Sequence, residues 1–270
     1  MSTDNELTYL FKLYGSDKID HLYTDKYFSY LNSLKNEKLN ILEIGIADGK
    51  SLLAWSDFFK NSTIIGIDIK SIDIHEKKLN RDNIKIHQGS QSDSNFIETL
   101  IQKYQRFDII IDDGSHFPKD VIKSFKLLFN SLSKNGYYFI EDIQTSYIHF
   151  FGGNPFDLKY SNTQMNFFKN LTDSLNYQEI ANPFYKKNQY DSKINNITFY
   201  HNLVVVKKGF NEKKSNLVLN NSYEDMRYLE KVNRSNNNIK YFIKYKIIFK
   251  FYTLLLFFLN WVKKIILLRF

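Results

Sequence analysis

The chain predicts a doubly wound α/β protein on a mostly parallel seven-stranded sheet, with an N-terminal helical cap and a C-terminal amphipathic helix. Three observations carry this. Apolar runs of strand length recur at regular intervals. Stretches with helical spacing lie between most of them. The series closes on a hairpin rather than on another strand–helix unit.

The runs are "LNILEIG" (39–45), "TIIGID" (63–68), "IKIHQG" (84–89), "FDIIIDD" (107–113) and "GYYFIED" (136–142). Each is apolar without alternation, as a strand covered on both faces should be. Between them, "SLLAWSDFF" (51–59), "SNFIETLIQKY" (94–104) and "PKDVIKSFKLLFNSL" (118–132) read as helices. In the last, Val121, Phe125, Leu128 and Leu132 share one face, and "KNG" (134–136) supplies a stop. "ITFYHNLVVVKKG" (197–209) holds two strands with a tight turn near His201–Asn202, hence an antiparallel hairpin. Five parallel strands closed by such a hairpin is the layout of class I methyltransferases, whose sheet is Rossmann-like; a plain dinucleotide fold would continue in parallel.

Four segments follow: a helical cap at 1–36, the α/β domain at 37–210, a polar, Asn-rich linker at 211–238 with room for a short helix, and a basic apolar helix at 239–270. Charge divides along the same line. Residues 211–270 hold 12 Lys/Arg and 4 Asp/Glu, which accounts for the net +8, and residues 1–210 hold 25 of each sign. A neutral α/β domain argues against nucleic acid as substrate. The chain has no Cys, which excludes disulfides and thiolate metal sites and makes a reducing compartment, the cytoplasm, the expected location. The start, "MSTDNELTYLFK", is not a secretory signal.

Ligands of an open α/β sheet bind beyond the carboxyl ends of its strands. The first strand ends "LEIGIADGKS", where Gly45 and Gly49 allow close backbone approach and Glu43 can face the pocket. Asp68, ending the second strand, can accept from both ribose hydroxyls of a nucleoside. Those features suit NAD or S-adenosylmethionine (SAM); a glycine turn needed only for packing is the alternative. The acidic Glu43 favours SAM, whose sulfonium and ammonium are cationic, and no G-x-G-x-x-G supports NAD. In "HQGSQSD" (87–93), Gln91 and Ser92 can bond an adenine edge, and Asp112 can take the ammonium of the methionine moiety.

Asp113, His116, Glu141 and Asp142 all follow adjacent strands. An isolated "DD" or "ED" is commonly a solvated turn, but two pairs converging on one crevice, with a histidine beside them, form a cluster. Carboxylates without thiols suit a hard cation, Mg²⁺ or Mn²⁺.

"YGSDK" (14–18), "HLYTDKY" (21–27), "LEIGIADGKSLLAW", "QGSQSD", "IIIDDGSH" and "FIEDIQTSY" together resemble the metal-dependent sugar O-methyltransferases of macrolide biosynthesis, over roughly residues 8–207. The resemblance implies that Asp113, Glu141 and Asp142 bind the metal and that His116 is the general base; the cofactor contacts expected from the strand ends remain Glu43, Gly45, Asp68, Gln91 and Asp112. Where this family usually has an Asp, the chain has Ser90. The implied acceptor is a hydroxyl of a sugar or glycoconjugate. A metal-assisted O-methyltransferase of a small non-sugar metabolite, and a membrane-associated protein with a non-catalytic methyltransferase fold, are the alternatives.

In the tail, the longest run without charge is Phe251–Val262, 12 residues. As helix it measures about 18 Å against roughly 30 Å of bilayer core. It is too short to span. Flanking lysines and Trp261 suit a helix lying on an anionic membrane surface; a helix buried in a homo-oligomer interface is the alternative.

Overall fold

The structure, a computed structural model, describes residues 4–70, 79–180, 185–212, 217–219, 222–224 and 258. Its main unit takes in the chain to Tyr177 and Lys187–Asn211. The strands are β1 (Asn40–Ile44), β2 (Thr63–Asp68), β3 (Ile84–Gln88), β4 (Phe107–Asp112), β5 (Leu132–Ile140), β6 (Ile194–Tyr200) and β7 (Leu203–Lys208). They form one sheet in the order β3-β2-β1-β4-β5-β7-β6. All neighbours among β1–β5 pair in parallel, whereas β7 runs antiparallel to β5 and to β6. The turn between β6 and β7 falls at His201–Asn202, with Asn202 in the left-handed region at φ 60°. The predicted fold class is the one found.

The lack of alternation in the strands has the expected cause. Leu42, Ile44 and Ile110 enter the core on one face of the sheet, and Ile41, Ile109 and Ile111 enter the core on the other. The first core receives α4 (Ser94–Tyr104), α5 (Pro118–Leu128) and α6 (Gln164–Asn170), after which α7 (Thr172–Leu175) follows. The second receives α1 (Glu6–Tyr14), α2 (Thr24–Leu31) and α3 (Lys50–Phe58). Leu7, Phe11, Tyr27 and Leu31 of the N-terminal helices are fully buried there, against Trp55 and Phe139.

One boundary differs from expectation. The helix from Pro118 ends at Leu128, continues as a 3-10 turn over Phe129–Ser131, and β5 begins at Leu132 rather than Gly136. Lys208 explains the early stop: its Nζ donates to the carbonyls of Phe129, Asn130 and Leu132 at 3.0, 2.8 and 2.5 Å. Carbonyls freed at a helix end need such partners, and a lysine reaching over from β7 supplies them.

A second unit takes in Gln178–Lys186 and the chain from Glu212. Within the span expected to be linker it contains a small antiparallel hairpin, β8 (Leu217–Leu219) with β9 (Ser222–Glu224). The expected tail helix lies outside the described residues except for Phe258, which is helical and exposed. Among the described residues no helix is long and apolar enough to cross a membrane.

Candidate active site

The strand order reverses between β1 and β4, so a crevice opens beyond their carboxyl ends. A cleft of about 850 Å³ occupies that position. Its wall runs from Gly45–Asp48 after β1, past Asp68 at the end of β2 and Gly89–Gln91 after β3, to Asp113–His116 after β4 and Asp142 after β5.

The glycine turn after β1 is held from below by Asp68. Its Oδ2 accepts from the backbone N–H of Ile46 and of Ala47, both at 3.1 Å, and its Oδ1 accepts from Lys70 N at 2.9 Å. Gly45 sits at φ 79°, and a Cβ built there would lie 2.2 Å from the Asp113 carbonyl oxygen. Only glycine lets β1 and the end of β4 come this close. Gln91 ties the third strand end to the fourth: its amide oxygen accepts from Ser115 N at 2.7 Å and its amide nitrogen donates to Asp112 Oδ1 at 3.0 Å. Gly45, Asp68 and Gln91 thus line the cleft, as expected of cofactor contacts.

Glu43 and Asp112 do not line it. Period-two alternation separates them. Asp112 shares the face of Ile110, where its carboxylate is buried and accepts from Ser124, Tyr138 and Gln91. Burial pushes its pKa up to about 6, against the hydrogen bonds of Ser124 and Gln91. Glu43 points to the opposite face, under α3, where Ser51 Oγ donates to it at 2.8 Å.

Asp113, one residue past Asp112, faces the same side as Glu43. With His116 and Asp142 it forms a group whose ligand atoms all lie within 4.8 Å of one another. His116 Nε2 stands 3.9 Å from Asp113 Oδ1 and 3.8 Å from Asp142 Oδ2. His116 and Asp142 have φ of 57° and 53°. Left-handed backbone is uncommon outside glycine, and two such residues facing each other mark a site where geometry is imposed by the surroundings. Thr145 Oγ1 helps impose it, donating to the carbonyls of both His116 and Asp142 at 2.9 Å. Asp142 Oδ1 in turn accepts from Tyr23 Oη at 3.0 Å and Gln144 Nε2 at 3.2 Å, with His21 Nδ1 at 3.7 Å.

Glu141 is placed differently from the other three. Its carboxylate is buried, and its Oε1 accepts from Lys18 Nζ at 2.6 Å and from Tyr27 Oη at 2.5 Å. Lys18 is itself 1% exposed. Its ammonium also donates to Asp113 Oδ2 at 2.7 Å and lies 3.2 Å from Glu43 Oε1, paired there by charge without hydrogen-bond alignment. Burial works against this ammonium, but Asp113, Glu141 and Glu43 hold its pKa well above the ordinary lysine value. Burial and the charge of Asp113 push Glu141 up to about 8, against the pull of Lys18. Both shifts favour the protonated form of their group. We take the ammonium as charged, because it faces three carboxylates at once. Lys18, Tyr23 and His21 are the site residues that reading the strand ends missed. All three lie within "YGSDK" and "HLYTDKY", where no local signal says that the side chains reach the far end of the sheet.

The donor set fits a hard divalent cation. It offers carboxylate oxygens and one imidazole, with no sulfur. Three carboxyl groups, Glu43, Asp113 and Glu141, face a single ammonium, and Asp142 lies with Asp113 around His116, leaving negative charge for a cation to offset.

No family model matches the chain. Mycinamicin VI 2''-O-methyltransferase of Micromonospora griseorubida is 33% identical over 200 residues, 71% of this chain and 49% of the relative. Demethylmacrocin O-methyltransferase of Streptomyces fradiae is 36% identical over 217 residues, 77% of this chain and 53% of the relative. The solved MycE methyltransferase of the mycinamycin biosynthetic pathway, in complex with Mg and SAH, superposes with a TM-score of 0.73 at 32% identity, over 78% of this chain and 56% of that one. The chain is a relative of the macrolide sugar O-methyltransferases. It has their class I methyltransferase fold, and it spans about half the length of the curated relatives it matches.

Proposed function

We propose that the protein is a SAM- and Mg²⁺-dependent O-methyltransferase acting on a hydroxyl of a sugar or glycoconjugate. The observation that carries this reading is the convergence of Asp113, His116 and Asp142 at one end of the cleft that Gly45 and Asp68 line. Likeness to relatives named for methylating macrolide sugars, and to a solved one bound to Mg and SAH, supports it.

In this reading Asp68 binds the ribose while continuing to brace the glycine turn, and Gln91 fixes the wall beside the adenine. Glu43 and Asp112 shape the site from behind rather than by touching SAM. Asp113 and Asp142 hold the cation, with Glu141 beside them. When bound, the cation lowers the pKa of an acceptor hydroxyl and orients a vicinal pair. His116, within 4 Å of both carboxylates, takes the proton at Nε2 as the methyl group is transferred. Methyl-labelled SAM, Mg²⁺ and a panel of glycosides with and without vicinal hydroxyls test this. Label should pass only to the diols and only without EDTA. Transfer to phenols lacking a vicinal diol would favour the small-metabolite alternative.

A glycolipid or surface-polysaccharide intermediate as acceptor would suit the basic apolar tail, which we read as a membrane-surface helix on the cytoplasmic face. Truncation after Asn238 should then abolish pelleting with anionic vesicles while the folded unit persists. If the truncated chain instead changes its oligomeric state and still pellets, the tail is an interface between copies.

A further inference from the structure

The buried lysine has a consequence for the metal site. Lys18 sits in a 3-10 turn, Asp17–Ile19, between α1 and α2, capped by Ser16, and so belongs to the N-terminal helical segment rather than to the sheet. Its ammonium reaches the ends of three strands at once: Glu43 of β1, Asp113 after β4 and Glu141 after β5. A lysine has three donors and no acceptor; hydrogen bonds to Asp113 and Glu141 use two of them, and Glu43 is paired by charge at 3.2 Å.

Which oxygens it takes matters. Lys18 binds Asp113 through Oδ2 and Glu141 through Oε1, and Tyr27 binds the same Glu141 Oε1. Asp113 Oδ1 is left over, and it is the atom that faces His116. Glu141 Oε2 is used by neither Lys18 nor Tyr27. We propose that Lys18 is a positioning residue that selects which oxygen of Asp113 is presented to the divalent cation, holding that carboxylate in ligating orientation from behind while Glu141 anchors the ammonium. A carboxylate not held this way would rotate between two equivalent oxygens and lose entropy on each binding event. Groups that orient metal ligands from outside are typically worth about 10–100-fold in affinity.

Electrostatics alone predicts the reverse. A fixed positive charge against a ligand repels a divalent cation, so a lysine that merely fills space or balances charge should weaken metal binding, and its removal should tighten it. The inference rests on the metal reading above, and one experiment separates them: titration of the full-length chain with Mn²⁺ alone, followed by the loss of free-ion EPR signal. Lys18→Met leaves buried carboxylates with no cation and is expected to unfold readily. The informative variants are therefore Lys18→Met/Glu43→Gln, which removes one charge of each sign, and Lys18→Arg, which keeps the charge but replaces a point donor by a planar fork. Wild type should bind Mn²⁺, and both variants, checked for native circular dichroism, should bind it about tenfold or more weakly. Whichever of the two folds decides the matter. Equal or tighter binding by a folded variant overturns the positioning role. Absence of Mn²⁺ binding by wild type overturns the metal reading instead.

Discussion

Replacing Gly45 by alanine isolates the close approach on which the site's floor depends. Gly45 and Gly152 share nearly the same positive φ, 79° and 80°, but not the same surroundings. A Cβ at Gly152 meets nothing within 4 Å, whereas one at Gly45 lies 2.2 Å from the Asp113 carbonyl oxygen and 2.6 Å from Gly114 Cα. Both substitutions incur the left-handed penalty of about 1–2 kcal/mol, partly offset by about 0.4–1 kcal/mol from the stiffer unfolded chain. Gly152→Ala should therefore cost about 0–1.6 kcal/mol. At Gly45 the contact is more than 1 Å inside ordinary van der Waals distance, and the obstacle is main chain, which cannot rotate away. Overpacking of this kind adds about 1–3 kcal/mol. Differential scanning calorimetry on a unit of this size should place Tm of Gly45→Ala roughly 3–10 °C below that of Gly152→Ala. Equal Tm values for the two variants would show that β1 and the end of β4 are not held together as described, and the cleft geometry built on that contact would be wrong.

Other expectations follow from the same geometry. Asp68→Ala should weaken S-adenosylhomocysteine binding in calorimetry, because it removes both the proposed ribose acceptor and the brace on Ile46 and Ala47 N–H; unchanged affinity would remove Asp68 from the cofactor site. His116→Ala should retain Mn²⁺ and SAM but lose about 10²–10⁴-fold in turnover, whereas Asp113→Ala and Asp142→Ala should lose metal and activity together. A His116→Ala enzyme at full rate contradicts its role as base. In EDTA, stability should carry a pH signature from Asp112. Its folded pKa of about 6 lies above the ordinary value of about 3.9, so the folded state holds the proton more tightly. That contribution is full below about pH 4 and lost as pH rises through about 6. Asp112→Asn should flatten denaturant-measured stability across that window by up to about 3 kcal/mol, and an unchanged slope would deny the carboxyl its buried, protonated state.

The sheet was legible because each central strand is a short apolar run ending in a polar turn, and the hairpin because two such runs flank His201–Asn202. Asp113, His116 and Asp142 were legible as a cluster, since strand ends on one side of a parallel sheet must meet. The faces were less so. Asp112 and Asp113 are adjacent in sequence, yet alternation sends one into a helix-covered core and the other to the cleft. Lys18 was not legible at all. It contacts residues 95 and 123 positions away, and a lone lysine in a polar turn ordinarily reads as solvated surface. Its burial follows from the 3-10 turn between the N-terminal helices reaching the ends of β1, β4 and β5, which no local pattern announces. The end of α5 was missed for a similar reason, because the lysine that caps it comes from β7.

The central claim is that a divalent cation and the methyl donor share this cleft, and it can be tested without knowing the acceptor. SAM carrying a ¹³C-labelled S-methyl group is bound to the full-length protein, and its methyl resonance is followed by NMR as Mn²⁺ is added. The account predicts strong paramagnetic broadening in wild type, reversed by EDTA and absent in Asp113→Ala and Asp142→Ala. A bound SAM whose methyl signal is untouched by saturating Mn²⁺ would contradict it.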